Sequence, residues 1–133
     1  CQTTCETSCP DSFAKNDGSV GSSTCFLEEG FTNWGWTNSF NYYDLNVYQY
    51  TNQENYRLPI FADAEGCDIS IGTQIGHVEI NVFSEDETPY ATITYIMADT
   101  NYEFSEINLH LNTVPYPKDG QGNDTNLPEF YTF

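Results

Sequence analysis

Five cysteines, two histidines and twenty acidic side chains are the groups of this 133-residue chain with chemistry to offer. The cysteines stand at Cys1, Cys5, Cys9, Cys25 and Cys67. They form no CxxC pair, and only His77 and His110 are at hand to complete a metal shell, so the spacing fits no zinc site. Disulfides formed in an oxidising compartment are the better reading. No signal peptide is visible, and the sequence reads as a mature product beginning at Cys1. An odd count leaves at least one thiol over. That thiol is free, bonds to a neighbouring subunit, or is a lipid-modified Cys1. A core bridge is expected between Cys25 and Cys67. A second is expected within the N-terminal segment or from it to the body.

The acids suggest calcium. Three clusters offer oxygen donors: Asp63, Glu65 and Asp68; Asp119, Asn123, Asp124 and Glu129; and Asp11, Asn16 and Asp17. Calcium takes six to eight oxygens, and flexible loops with glycine supply them, which makes residues 119–129 the first candidate. None of the three has the spacing of an EF-hand. The competing reading is a solvated acidic surface. Lys15, Arg57 and Lys118 are the only formal cations, and the net charge is −17. Such a chain repels phosphate backbones and anionic lipid heads, so nucleic acid and bilayer surfaces are disfavoured as partners. Catalysis has little support. No GxSxG-type nucleophile accompanies His77 or His110, and twenty carboxylates make any acid pair uninformative. The expectation is a protein that is not an enzyme.

Trp34 and Trp36 fall on one face of an extended segment, two residues apart. Exposed, they would stack on sugar rings, with Asn33, Asn38 and Asn41 bonding hydroxyls. Buried, they would pack beside the Cys25–Cys67 bridge, with Gly35 permitting close approach. An interface between subunits is the third option. Asn123-Asp124-Thr125 is the one glycosylation sequon, at Asn123. Tyr42, Tyr43, Tyr48, Tyr50 and Tyr56 crowd one stretch. If it is a strand, Tyr43, Leu45 and Val47 face inward, and Tyr42, Tyr48 and Tyr50 face a covering partner.

These groups need elements to hold them. The chain is rich in Tyr, Phe, Thr, Val and Ile, which favours strands, and too aromatic for acidic disorder. Residues 1–24 are polar and aperiodic, an arm stapled by cysteines. Period-two alternation then marks strands at 43–48, 56–62, 75–83, 90–97 and 104–111, with a short closing strand at 129–133. Pro59 suggests that its strand lies at an edge. No stretch gives a convincing amphipathic helix, and no apolar run approaches the roughly 18 residues of a membrane span. The expected fold is all-β: a disulfide-stapled antiparallel β-sandwich of about seven or eight strands over residues 25–133, preceded by an arm over 1–24. A barrel or jelly roll is the alternative.

Four blocks then resemble a family of secreted bacterial β-domains. Cys5-Glu6-Thr7 with Ser12-Phe13-Ala14 is similar to its CETAFA opening. Thr24-Cys25-Phe26 and Asn33-Trp34-Gly35-Trp36 resemble its CF and RWGW motifs. Residues 62–76 (ADAEGCDISIGTQIG) resemble a block reading AGAGQCDxSKGTxVG. Residues 92–111 and Val114-Pro115-Tyr116-Pro117 resemble its later blocks. The chain departs from the pattern at Cys1 and Cys9, at Asn33 and Ile71 where the motifs carry cations, and in a long Tyr/Asn-rich segment between Phe40 and Leu58. The resemblance implies an extracellular or cell-surface domain and brings no catalytic residue or ligand with it.

The expectation for function is an extracellular structural subunit of a filament, sheath or surface layer. It would self-assemble through β-rich contacts, with calcium and disulfides in support. The alternative is a carbohydrate-binding adhesion module that uses Trp34 and Trp36 to hold glycan.

Overall fold

The structure, a computed structural model, describes residues 9–52 and 55–133, with side chains for all of these except 48–52. Among these residues six strands form two antiparallel sheets. The larger has the order β1-β4-β5-β6, with β1 at Ser12–Ala14, β4 at Tyr56–Ala62, β5 at Thr73–Glu85 and β6 at Thr88–Met97. The smaller pairs β2 (Ser22–Cys25) with β3 (Trp36–Ser39). One helix, α1, runs over Tyr42–Asn52. The fold is thus antiparallel and sheet-based, as expected. Among the described residues there are six strands, with a helix against the larger sheet, and the expected sandwich of seven or eight strands is not borne out.

The three alternating segments at 56–62, 75–83 and 90–97 all become strands, because alternation gives each one buried face. Tyr56, Leu58, Ile60 and Ala62 of β4 join Ile75, Val78 and Val82 of β5 in the main core, with Leu45 of α1 on top. Ile93, Tyr95 and Met97 of β6 pack against its margin. The register steps from Ile60↔Gly76 to Phe61↔Gln74, which leaves Ile75 unpaired with β4. This bulge resets the parity of β5, so Ile75 enters the same core as Val78 although an odd number separates them. Gly76 is needed beside it, since a Cβ there would meet the Ile96 carbonyl oxygen at 2.1 Å.

Three expectations are corrected. First, residues 43–48 are helical. Asn41 caps α1: its side-chain oxygen accepts the Tyr43 N–H at 2.8 Å, and its carbonyl accepts the Leu45 N–H at 3.2 Å. Leu45 turns inward, whereas Tyr43 is 75% and Val47 57% exposed. Inward alternation of Tyr43, Leu45 and Val47 is therefore wrong. Second, β4 is not an edge strand, despite Pro59. In an antiparallel ladder a residue's N and O point to the same neighbour. The Pro59 oxygen accepts from Lys15 N–H on the β1 side, where β1 has just ended, so the missing donor is not one that β5 needs. Third, residues 104–111 and 129–133 form no strands. They meet where Leu109 and Phe133 exchange backbone hydrogen bonds of 3.2 and 2.9 Å and Leu111 N–H donates to Thr132 Oγ1 at 3.1 Å, without forming a ladder, and Pro128–Phe130 is a 3₁₀ turn.

The expected arm supplies structure to the body. β1 extends the large sheet and β2 leads into Cys25. Among the described residues no helix is long and apolar enough to cross a membrane.

Candidate functional site

The back of the large sheet carries Phe13 on β1 directly opposite Phe61 on β4. The small sheet covers this pair. Cys25 ends β2 and lies across from Trp36 at the start of β3. The expected Cys25–Cys67 disulfide forms there, with a Cα separation of 6.1 Å. Around it rings meet edge to face: Trp34 with Phe13 at 4.9 Å, Trp34 with Trp36 at 5.8 Å, and Trp36 with Phe61 at 6.2 Å between centroids. Phe26 continues the chain of rings from Phe13 towards Phe31 and Tyr116. Trp36 is only 6% exposed and Trp34 half-buried.

Gly35 lets the cluster close. Its φ is +141°, and a Cβ would fall 2.6 Å from the Phe26 ring and 2.9 Å from the Phe13 ring. Its carbonyl accepts the Phe26 N–H at 2.9 Å, and Cys67 Sγ lies 3.3 Å from the same oxygen. The indoles are therefore arranged as the buried alternative requires. Asn38, which the exposed-platform alternative would aim at sugar hydroxyls, is turned inward. It accepts from Asn16 N–H at 2.7 Å and donates to the Ala14 carbonyl at 3.0 Å, tying the small sheet to β1. Asn41 is engaged as the helix cap, and Asn33 is exposed.

Of the other cysteines, Cys9 is disulfide-bonded, and Cys1 and Cys5 lie outside the described residues. Tyr42 is half-buried, with its hydroxyl 2.8 Å from Ser84 Oγ, and the side chains of Tyr48 and Tyr50 lie outside the described residues.

The three acidic clusters fold as turns. Asn16 is 1% exposed and fully employed: Nδ2 donates to the Val20 carbonyl, and Oδ1 accepts from Gly18 N–H and the Tyr56 hydroxyl. Asp17 accepts from the Ser19 hydroxyl and N–H, which together hold its carboxyl below the ordinary aspartate range. Asp11 is exposed and apart from this network. Asp68 is likewise lowered by the Ser70 hydroxyl and N–H. Asp63 and Glu65 flank the buried Ala64, with Asp63 at φ +55°. In the 119–129 loop, Asp119 Oδ1 accepts the N–H groups of Gln121 and Asn123 at 2.8 and 2.9 Å, and Asp124 pairs with Lys118. Asn123 is exposed, as a glycan acceptor must be, while Thr125 is buried and Glu129 exposed. Among the described residues, no group of three or more His, Cys, Asp or Glu side chains is arranged to hold a metal ion.

Every formal cation is engaged. Arg57 pairs with Glu79 at 3.1 Å across β4 and β5, and His77 Nε2 lies 3.4 Å from the same oxygen. Asn55 hydrogen-bonds the other Glu79 oxygen, and this bond leads the lowering of the Glu79 carboxyl. Lys15 Nζ donates to the Asn16 carbonyl.

Comparison with protein-family models, with curated proteins and with solved structures finds no match for this chain. The functional reading therefore rests on the surface itself.

That surface has one feature that sequence reasoning missed. β5 pairs with β4 only through Ile80, whereas its pairing with β6 continues to Glu85↔Thr88. Residues 81–92 thus run past the end of β4 as a two-stranded ribbon, with Val82 still in the main core and Ser84 against Tyr42 of α1. Phe83 and Tyr90 stand opposite each other on it, stacked at 5.5 Å and 19°, and are 38% and 48% exposed. The signal was present in their equal distance from the Asp86-Glu87 turn. It stayed hidden because alternation alone does not say where the neighbouring strand stops.

Proposed function

We propose that this chain is a non-catalytic extracellular structural subunit that self-assembles into a filament, sheath or surface layer. The observation that carries the reading is the amount of ordered apolar surface facing outward. Tyr43, Val47, Ile71, Leu111, Val114 and Phe133 are all exposed, together with the stacked Phe83–Tyr90 pair. Scattered single residues of this kind are ordinary, but a stacked aromatic pair on a two-stranded ribbon, with Tyr43 and Val47 exposed on α1, is what contacts between subunits use. The Cys25–Cys67 bridge suits an oxidising exterior. A charge of −17 would oppose assembly, and divalent cations such as calcium would screen it. The carbohydrate reading is weaker, because Trp36 and Asn38 are occupied inside the molecule.

The test is negative-stain microscopy with light scattering on the unreduced protein, with calcium and with chelator. Regular assemblies support the reading, and their loss on chelation assigns calcium to the contacts. Dispersed monomers at high concentration in both conditions would overturn it.

A further inference from the structure

β6 is the outer strand of the large sheet, and its far edge has no strand beside it among the described residues. The turn at its start fixes which backbone groups point outward. Residues 86 and 87 form a two-residue connection, so Glu85 and Thr88 are a hydrogen-bonded pair and alternate pairs from there bond likewise. Ala98 N–H donating to the Ile75 carbonyl at 2.9 Å keeps the same phase at the other end. The N–H groups of Ala91, Ile93 and Tyr95 therefore point away from β5, and no backbone partner for them is seen among the described residues. Pro89 occupies an outward position too, where its missing N–H costs β5 nothing.

The chemistry of this edge is unusual for the molecule. From Thr88 to Ala98 there is no charged residue, although the chain carries twenty acids and three cations. Natural edge strands are commonly guarded by charge, and this one is not. Its inward-facing Ile93 and Tyr95 are only half-buried, because the core ends with this strand. Towards Met97 the strand borders a shallow groove shared with Tyr102 and Phe104, so the open part is its first two-thirds.

We infer that the free edge of β6 pairs antiparallel with the β6 edge of a second copy of this chain. This inference rests on the self-assembly reading and names the surface that it uses. A strand is the occupant because the unpaired groups are a ladder. A second copy is the occupant because the strip is uncharged. A basic partner would be drawn to the acidic remainder, whereas two copies repel each other least where neither carries acid. Register centred on Ile93 sets Ala91 opposite the other copy's Tyr95, so that the three outward donors of each copy give about six main-chain bonds. The half-buried Ile93 and Tyr95 then gain neighbours, and the two cores become one. Such a contact is isologous and closes on itself. It would make the dimer from which a larger assembly grows through other surfaces.

The experiment is amide hydrogen exchange on the full chain, resolved by residue, over a concentration series with the mass followed by light scattering. The variant is Ala91→Pro, which removes an outward donor without removing a bond to β5. Protection of Ala91, Ile93 and Tyr95 that rises with the mass, and at least tenfold weaker association for Ala91→Pro, is the expected result. Association with these three amides unprotected would overturn the inference and leave the assembly reading standing. A chain that stays monomeric would overturn both. Full protection in the dilute monomer would mean that the chain covers its own edge, and would overturn the inference alone. Because exchange is read on the unaltered protein, the conclusion does not depend on the variant folding.

Discussion

The Tyr56 hydroxyl, on the buried face of β4, donates to Asn16 Oδ1 across 40 residues of sequence. This bond pins the 16–20 turn to the core strand, and Asn38 ties the same asparagine's backbone to the small sheet. Asn16 is thus the polar joint of three elements. Tyr56→Phe removes the hydroxyl's contacts with Asn16 Oδ1, Asp17 Oδ1 and Ser19 Oγ and leaves Asn16 Oδ1 its Gly18 donor, so we expect a loss of about 1–2 kcal/mol in urea unfolding. Asn16→Ala takes a partner from the Tyr56 hydroxyl on β4 and from the Gly18 N–H and Val20 carbonyl of the turn, and we expect about 3 kcal/mol. Equal, near-zero losses for both variants would show that the joint is not formed.

Gly35 makes a harsher prediction. A methyl group at this position overlaps the rings of Phe26 and Phe13, and its φ of +141° disfavours any side chain. Gly35→Ala should cost more than about 3 kcal/mol, in the range of overpacked cores combined with backbone strain. It should also change tryptophan fluorescence, because Trp34 and Trp36 pack on the displaced rings. A stable variant with unaltered emission would remove the case for a closed aromatic cluster.

The contrast between these parts of the molecule shows what the sequence made legible. Tyr56–Ala62 is a strand with the expected bounds, and β5 and β6 need only their ends extended, because one face of each meets the core and the other meets water. The Cys25–Cys67 bridge and the burial of Trp36 were among the expected arrangements. α1 was not foreseen, since Tyr43, Leu45 and Val47 alternate like a strand while only Leu45 is buried. The better signal was Asn41, a capping residue two positions before an N–H that needs an acceptor. Residues 107, 109 and 111 alternate as well, but Ile107 and Leu111 stay exposed, with no neighbouring strand to make alternation pay. The Asn16 joint left no trace, because a turn-rich run of polar residues looks the same whether it is solvated or buried.

Alkaline pH offers a third test. Tyr56, Tyr95, Tyr116 and Tyr131 all have hydroxyls raised above the ordinary tyrosine value, chiefly by burial. Groups raised in the folded state contribute stability that is complete below the unfolded value of about 10 and is lost as pH rises through the folded values. The protein should therefore hold its fold to about pH 10 and unfold above it. Tyrosinate absorbance near 295 nm should show a late part, contributed by these four, that rises together with the loss of structure. A single smooth titration at the ordinary value would contradict their burial.

The ribbon turn supplies the last prediction. Asp86 and Glu87 both have positive φ, +50° and +66°, as a two-residue hairpin turn of this hand demands. Neither is glycine, and an L-residue held there costs about 1–2 kcal/mol. Glu87→Gly relieves that strain but gives the unfolded chain more freedom, which returns about 0.5–1 kcal/mol. The net expectation is a gain of about 0.5–1 kcal/mol. Removing a negative charge beside Glu85 and Asp86 would also stabilise the turn, so Glu87→Gln is the necessary control. It loses the same charge and keeps the strained backbone. A shift in urea midpoint for Glu87→Gly that Glu87→Gln does not share assigns the gain to backbone geometry. Equal shifts would assign it to charge, and would mean that the tip of the ribbon is held less firmly in this conformation than its pairing with β6 indicates.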